Sequence, residues 1–172
     1  MLNLRSLVFM ALAALCSGVT TVSAQGLNVY LSIPGIPGDS AAVGHVNEID
    51  VLAVGQGLFE QVSGKSKGVG CDINVTKRLD SAGPLLCMAA LGKDVVPEAK
   101  VTVEKSGEKP LTFYEIRMGS VTISTIGTSF SSDGTAAEVV TLLPQTLTLT
   151  FREQRPDGLP GDTVTRTFSC GI

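Results

Sequence analysis

Few residues in this 172-residue chain are of types that could do chemistry, and each group can be weighed by its spacing. His45 is the only histidine, in Gly44-His45-Val46-Asn47-Glu48. The H-E-x-x-H zinc site needs two histidines one helical turn apart, so it cannot be built here. A Ser-His-Asp arrangement would need His45 beside an activated serine on a strand-to-helix elbow. Nothing in the expected elements supplies one, and His45 is expected to be a loop or surface residue. Gly64-Lys65-Ser66 has the spelling of the end of a phosphate-binding loop. That loop needs a glycine five residues before Gly64, where Phe59 stands, and a helix after it, where a strand beginning near Cys71 is expected. The stretch reads as a flexible Gly/Lys loop. Ser106-Gly107-Glu108-Lys109 matches S-x-x-K by spelling, but it falls in an expected hairpin turn and its partner motifs are missing. Glu48 and Asp50 are two apart on an expected strand, hence on one face at about 7 Å. Any strand gives that spacing, and a solvated or interface-facing pair is the plainer account. No catalytic residue, metal ligand or cofactor site is assembled from these residues.

The cysteines give a sharper question. Cys16, Cys71, Cys87 and Cys170 are never spaced as C-x-x-C, which removes zinc-ribbon and thioredoxin-like readings. Cys16 belongs to an N-terminal segment with the marks of an export signal. Arg5 is a short basic region, Leu7 to Leu15 is apolar, and Val22-Ser23-Ala24 is the small-x-small pattern cut before Gln25. The apolar run breaks at Ser17-Gly18, short of the about 20 residues a membrane span needs. Lipidation at Cys16 would want a small residue before it, and Leu15 is not small. Residues 1–24 are thus expected to be a signal peptide, and the protein is expected to be periplasmic or secreted. The remaining 148 of the 172 residues form one expected domain, 25–172. Arg5 is the only charged residue removed, so 12 Lys+Arg face 16 Asp+Glu, a formal charge of −4. Without a basic stripe nucleic acid is not a partner, and no later apolar run reaches spanning length.

The elements that must position these residues alternate with period two. Thr146-Leu147-Thr148-Leu149-Thr150-Phe151 puts apolar side chains on one face and threonines on the other. Val29/Leu31/Ile33, Ile49/Val51/Ala53, Ile73/Val75, Val101/Val103, Val121/Ile123 and Val164/Phe168 repeat the pattern, with the β-branched residues that suit a pleated surface. Turn residues separate them at Pro34–Asp39, Ser106–Lys109, Ser132–Gly134 and Pro156–Gly158. Pro144 is expected at a bulge or an edge position. One segment, about residues 84–91, is helical: proline sits in its first turn and Gly92 follows its end. It is apolar nearly all round, so cover on more than one side is expected. Eight or so strands and one short buried helix read as a mainly β, closed or nearly closed antiparallel barrel.

That geometry bears on the thiols. A strand from Cys71 to Leu79 spans roughly 30 Å at about 3.3 Å per residue, and Cys87 lies on the helix beyond its far end. A disulfide needs Cα atoms within about 7 Å. If the last strand runs antiparallel beside the one that opens at Cys71, Cys170 arrives next to that opening. The expectation is a Cys71–Cys170 bridge, with Cys87 reduced and buried under the helix.

Several phrases resemble the haemolysin-coregulated protein (Hcp) family of type VI secretion. Glu48-Ile49-Asp50-Val51-Leu52-Ala53 is similar to its second-strand signature. Thr76-Lys77-Arg78-Leu79-Asp80-Ser81-Ala82-Gly83-Pro84-Leu85-Leu86 resembles its T-K-x-x-D-x-x-x-P-x-L, followed by Ala89 and Gly92. Ala99–Val103 with the Ser106-Gly107 turn, then Tyr114-Glu115-Ile116, Val121–Ser124 and Val139–Leu142, continue in register. The resemblance implies a two-sheet β-barrel with one helix, a ring of six copies, and rings that stack into a tube able to hold small effectors and to meet other type VI components. It implies no enzyme activity and no cofactor. By position, Glu60–Gly70 is the family's ring-stacking loop, which singles out Gly64, Lys65, Lys67, Gly68 and Gly70. The chain departs from the family in its signal peptide, in Val54-Gly55-Gln56-Gly57 where aromatic residues are common, and in the shortness of that loop. A second function class therefore stands beside the structural one: an exported binding module on the same barrel that forms no tube.

Overall fold

The computed structural model describes residues 26–92, 94–107 and 110–171. The expected signal peptide, residues 1–24, lies outside them. The elements run β1 (Leu27–Ser32), β2 (Ile49–Ser63), β3 (Ser66–Arg78), α1 (Ala82–Gly92), β4 (Val95–Lys105), β5 (Leu111–Phe130), β6 (Ala136–Gln154) and β7 (Pro160–Ser169). All pairings between strands are antiparallel, in the order β3-β2-β1-β4-β5-β6-β7, and a β3–β6 pairing closes the barrel.

The two longest strands belong to two sheets at once. The first part of β5 pairs with β4 as far as Thr122, and the remainder has only β6 beside it among the described strands. The first part of β6 pairs with β3 up to Leu142, and from Thr146 it pairs with β7 instead. The change of sheet falls where the backbone is irregular. Ser120 takes a φ of 50°, the β5–β6 register slips between Ile123 and Thr125, and Pro144 sits between the last β3 partner and the first β7 partner. A proline has no N–H to leave unmet there. Corners of this kind let one strand serve two packed sheets. The first sheet is β2-β3-β6-β5; the second runs from the start of β2 through β1, β4, β5 and β6 to β7.

Between the sheets lies the core. Leu31, Ile49, Ile73, Val75, Val101, Ile116, Ile123, Val140, Leu142 and Leu147 are all essentially inaccessible. The period-two positions on β1 to β6 supply them, because alternate side chains leave a strand on opposite faces. β7 departs from expectation. As the last strand of an edge it is exposed along most of its length, Val164 included.

The helix also differs from its expected cover. It buries Ala82, Gly83 and Leu86 and packs on β5, while Met88 and Leu91 are 68% and 82% exposed. A single sheet beneath it can cover only one side. Cys87 is accordingly free and half-buried rather than buried. No helix of the described residues is long and apolar enough to cross a membrane.

Candidate assembly surface

The residues that could do chemistry are mostly engaged in holding the fold. His45 lies in the 33–48 loop, as expected, but it is buried there. Its ring stacks on Tyr30 at 3.9 Å between centroids, with 7° between planes. Nδ1 is 2.7 Å from Glu48 Oε2 and Nε2 is 3.3 Å from Glu104 Oε1. Both ring nitrogens therefore face carboxylates, and neither is open to a substrate or metal. Glu104 also accepts a 2.7 Å hydrogen bond from the Thr112 hydroxyl. Burial raises the Tyr30 phenol pKa first, and the charges of Glu104, Asp50 and Glu48 raise it further. Of the two carboxylates expected to be a solvated or interface-facing pair, Glu48 precedes β2 and turns to His45, while Asp50 on β2 is exposed. Among the described residues no group of three or more His, Cys, Asp or Glu could hold a metal. Ser106 sits in the β4–β5 turn, its N–H donating to Gly26 O at 2.9 Å; Lys109 lies outside the described residues.

The strand-to-helix phrase holds the main polar feature that sequence reasoning missed. Lys77 is fully buried between Glu138 of β6 and Asp80, the latter at 2.6 Å. Asp80 also accepts the Ala82 N–H at 3.0 Å, which caps the helix. Gly83 lies directly over Glu138, where a Cβ would come within 2.6 Å of Oε1. So the threonine-lysine-aspartate-proline spacing fixes where β3 ends and α1 begins. Its only signal in the sequence was the resemblance, because nothing about a lysine in a strand announces burial.

The Glu60–Gly70 stretch is not a loop. Its residues pair one by one along β2 and β3, from Leu58↔Cys71 to Ser63↔Ser66, so the strand starts at Ser66 rather than near Cys71. The turn is only Gly64-Lys65, and Gly64 takes a φ of 60°, the first-position geometry of a II′ hairpin that glycine enters without strain. Lys67 bonds Glu60 at 2.7 Å across the hairpin. Phe59 lies across Gly70, where a Cβ would meet its ring at 2.2 Å. Thus Lys65 and Gly64 are at the tip, Lys67 and Gly68 just below it, and Gly70 under an aromatic ring. Gly64-Lys65-Ser66-Lys67-Gly68 does spell G-x-S-x-G, but Ser66 opens a strand after a hairpin turn, and no elbow into a helix exists there.

The β2–β3 hairpin stands out from the barrel as an arm. β1 accompanies β2 only from Ile49 to Val51, so beyond Val51 β3 is the only described partner of β2. At the other margin of the same sheet, β5 has no described partner but β6 after Thr122. The four-stranded sheet β2-β3-β6-β5 therefore ends on two unpaired edges. One of its faces carries Gly55, Asn74, Thr141 and Thr125, with the Thr141 hydroxyl donating to Asn74 Oδ1 at 2.8 Å. At the root of the arm, Cys71 and Cys170 form a disulfide with Cα atoms 5.6 Å apart.

Comparison with known proteins agrees with this geometry. The model of the family described as "Type VI secretion system effector, Hcp" matches residues 30–155. The chain is 30% identical to "Protein hcp1" of Pseudomonas aeruginosa over 143 residues, covering 78% of this chain and 88% of that one. A crystal structure of Hcp1 from Salmonella typhimurium superposes with a TM-score of 0.67 at 24% identity, over 83% of this chain and 94% of that one. Another solved structure, of "a type six secretion system protein", reaches 0.76 at 19% identity over 84% and 96%. At those identities the two structures speak for the fold alone.

Proposed function

Since the chain belongs to the Hcp family and is a structural, ring- or tube-forming protein of type VI secretion, we propose that its exported form closes into a ring of six through the free edges of β2 and β5. The two unpaired margins of one four-stranded sheet carry this reading. In the order β2-β3-β6-β5 neighbouring strands alternate in direction, so β5 of one copy laid against β2 of the next continues the antiparallel pattern. A head-to-tail contact of this kind generates a ring when the rotation closes, and closure leaves neither edge exposed. The polar face of Gly, Asn and Thr residues on the same sheet suits a wetted lumen wall, and small effectors are the cargo such a lumen would take.

The chain is read as a non-enzyme, because His45 and the buried or half-buried carboxylates Glu48, Glu104, Asp80 and Glu138 are committed to internal bonds. The arm tip, Gly64-Lys65 with Lys67 and Gly68 just below it, is the surface proposed to touch the next ring or another type VI component, and the buried Gly70 lies at the arm's root beneath Phe59. Residues 1–24 are proposed to be removed on export, leaving Gln25 as the first residue of a periplasmic or secreted domain. Sedimentation of the exported protein tests the assembly: a species of six chain masses is expected. A monomer at high concentration would overturn the ring and favour an exported binding module that forms no tube.

A further inference from the structure

We propose that ring formation by this chain is gated by oxidation of Cys71 and Cys170, whose disulfide holds the β2–β3 arm where its edge can receive a neighbour. This rests on the ring reading above. β3 leaves β6 after Ile73↔Leu142. Among the described residues, from Cys71 to Ser66 it has β2 on one side and, on the other, only Cys170 and Gly171. A two-stranded hairpin is marginal in water, and this one contains Gly57, Gly64, Gly68 and Gly70, which order at a high entropic cost. What stands in for a third strand is the C-terminus: Val69 and Gly171 exchange backbone bonds at 3.2 and 2.8 Å, and the Cys170 N–H donates to Gln145 O at 2.7 Å. Cys170 and Gly171 lie beyond the end of β7, outside its ladder with β6, and need a further tie to stay against β3. The disulfide is the tie, and it joins that tail to the arm at its root.

The chemistry is thiol–disulfide exchange with a disulfide-bearing oxidoreductase of the exporting compartment. Cys71 is only 6% exposed and Cys170 is more open. The Cys170 thiolate therefore attacks one sulfur of the donor disulfide, forming a mixed disulfide and releasing the donor's other sulfur as a thiolate. The Cys71 thiolate then attacks the Cys170 sulfur and displaces the donor. Cys71 and Cys170 together lose two protons and two electrons, and the donor leaves as a dithiol. A reducing cytosol keeps such thiols apart, so the chain would not assemble before export.

The test uses exported protein, untreated, reduced with dithiothreitol, and as the C71A/C170A double variant. Sedimentation and amide hydrogen exchange are read on each. The expected result is a hexamer when oxidised and a monomer in the other two, with exchange in 54–72 accelerated about tenfold or more while 97–122 stays protected. Hexamers in all three samples would overturn the gate and leave the ring standing. A monomeric oxidised protein would overturn the ring itself, and the gate with it. Loss of protection throughout the barrel on reduction would also overturn the gate, since the bridge would then be a general stabiliser.

Discussion

Lys67 and Lys77 are on the same strand, and each has a carboxylate at ion-pair distance: Glu60 at 2.7 Å and Asp80 at 2.6 Å. The surroundings make them different objects. In the arm the two side chains are 73% and 61% exposed; in the barrel they are 0% and 9% exposed. Water already solvates the arm pair, so bringing its charges together adds little. Lys77 has been taken out of water entirely, and without a partner its neighbours would be buried charges with no compensation. The barrel is thus built around one charge it cannot release, whereas the arm is held by backbone pairing, an aromatic ring over a glycine, and a covalent tie. A region held in that way gains most from a neighbour that pairs its edge.

The largest effect expected is from Lys77→Ala. It strands Glu138 and Asp80 and weakens the helix cap, and a loss of about 3–5 kcal/mol is expected from breaking a buried pair by one partner. Urea unfolding of the reduced and oxidised forms measures it. A loss under about 1 kcal/mol would put Lys77 in the same class as Lys67 and end the contrast. Next in size is Gly83→Ala. In an open helix this change stabilises by up to about 1 kcal/mol. Here the added Cβ would stand 2.6 Å from Glu138 Oε1, and Glu138 cannot step aside while it pairs with Lys77. Destabilisation of about 1–3 kcal/mol is expected, so the sign alone decides.

These two positions also mark where sequence reasoning stopped. Leu147 and Leu149, Ile73 and Val75, and Val101 and Val103 were legible as one strand face each, because a period of two needs no tertiary information. The helix was legible from Pro84 and Gly92, two residues short at its start. The burial of Lys77 was not, since it depends on β6 bringing Glu138 beside a residue 61 positions away. The arm was missed for a different reason. Gly68 and Gly70 have low strand propensity, and their pairing follows from the two-residue turn at Gly64-Lys65 and from Phe59 lying over Gly70. Half of the candidate surface, the β5 edge after Thr122, follows from where β4 begins, at Val95. No local pattern in β5 records that.

A smaller effect is expected at Asp39, which joins the 33–48 loop to the start of the helix. Its carboxylate accepts hydrogen bonds from the Ser81 hydroxyl at 2.5 Å and the Ser81 N–H at 3.2 Å. The side-chain and then the backbone bond from Ser81 lower its pKa from the ordinary 3.8. A lowered folded-state value means that this contribution is present above the unfolded-state value and disappears as the pH falls through the folded one. Asp39→Asn should therefore reduce the acid sensitivity of stability below about pH 4. Parallel stability-versus-pH curves for the two proteins down to pH 2 would remove the assignment.

The smallest change in stability is expected from Lys67→Ala, and this is where the contrast is most exposed to failure. Both partners are solvated, so the pair contributes about 0–0.5 kcal/mol, and added salt should erase even that. The unfolding midpoint of the variant should match the parent. Association is a separate readout, because Lys67 lies just below the Gly64-Lys65 tip, the surface proposed to meet a second ring. Replacing it leaves Glu60 unpaired and makes the tip more negative, which would weaken ring-to-ring contact in low salt while six-membered rings persist. Sedimentation at two salt concentrations separates the possibilities. Unchanged stability with weaker, salt-dependent stacking would assign Lys67 to the contact between rings. A destabilisation above about 1 kcal/mol would mean that the arm is held by its charges after all, and the physical distinction between the two lysines of β3 would not stand.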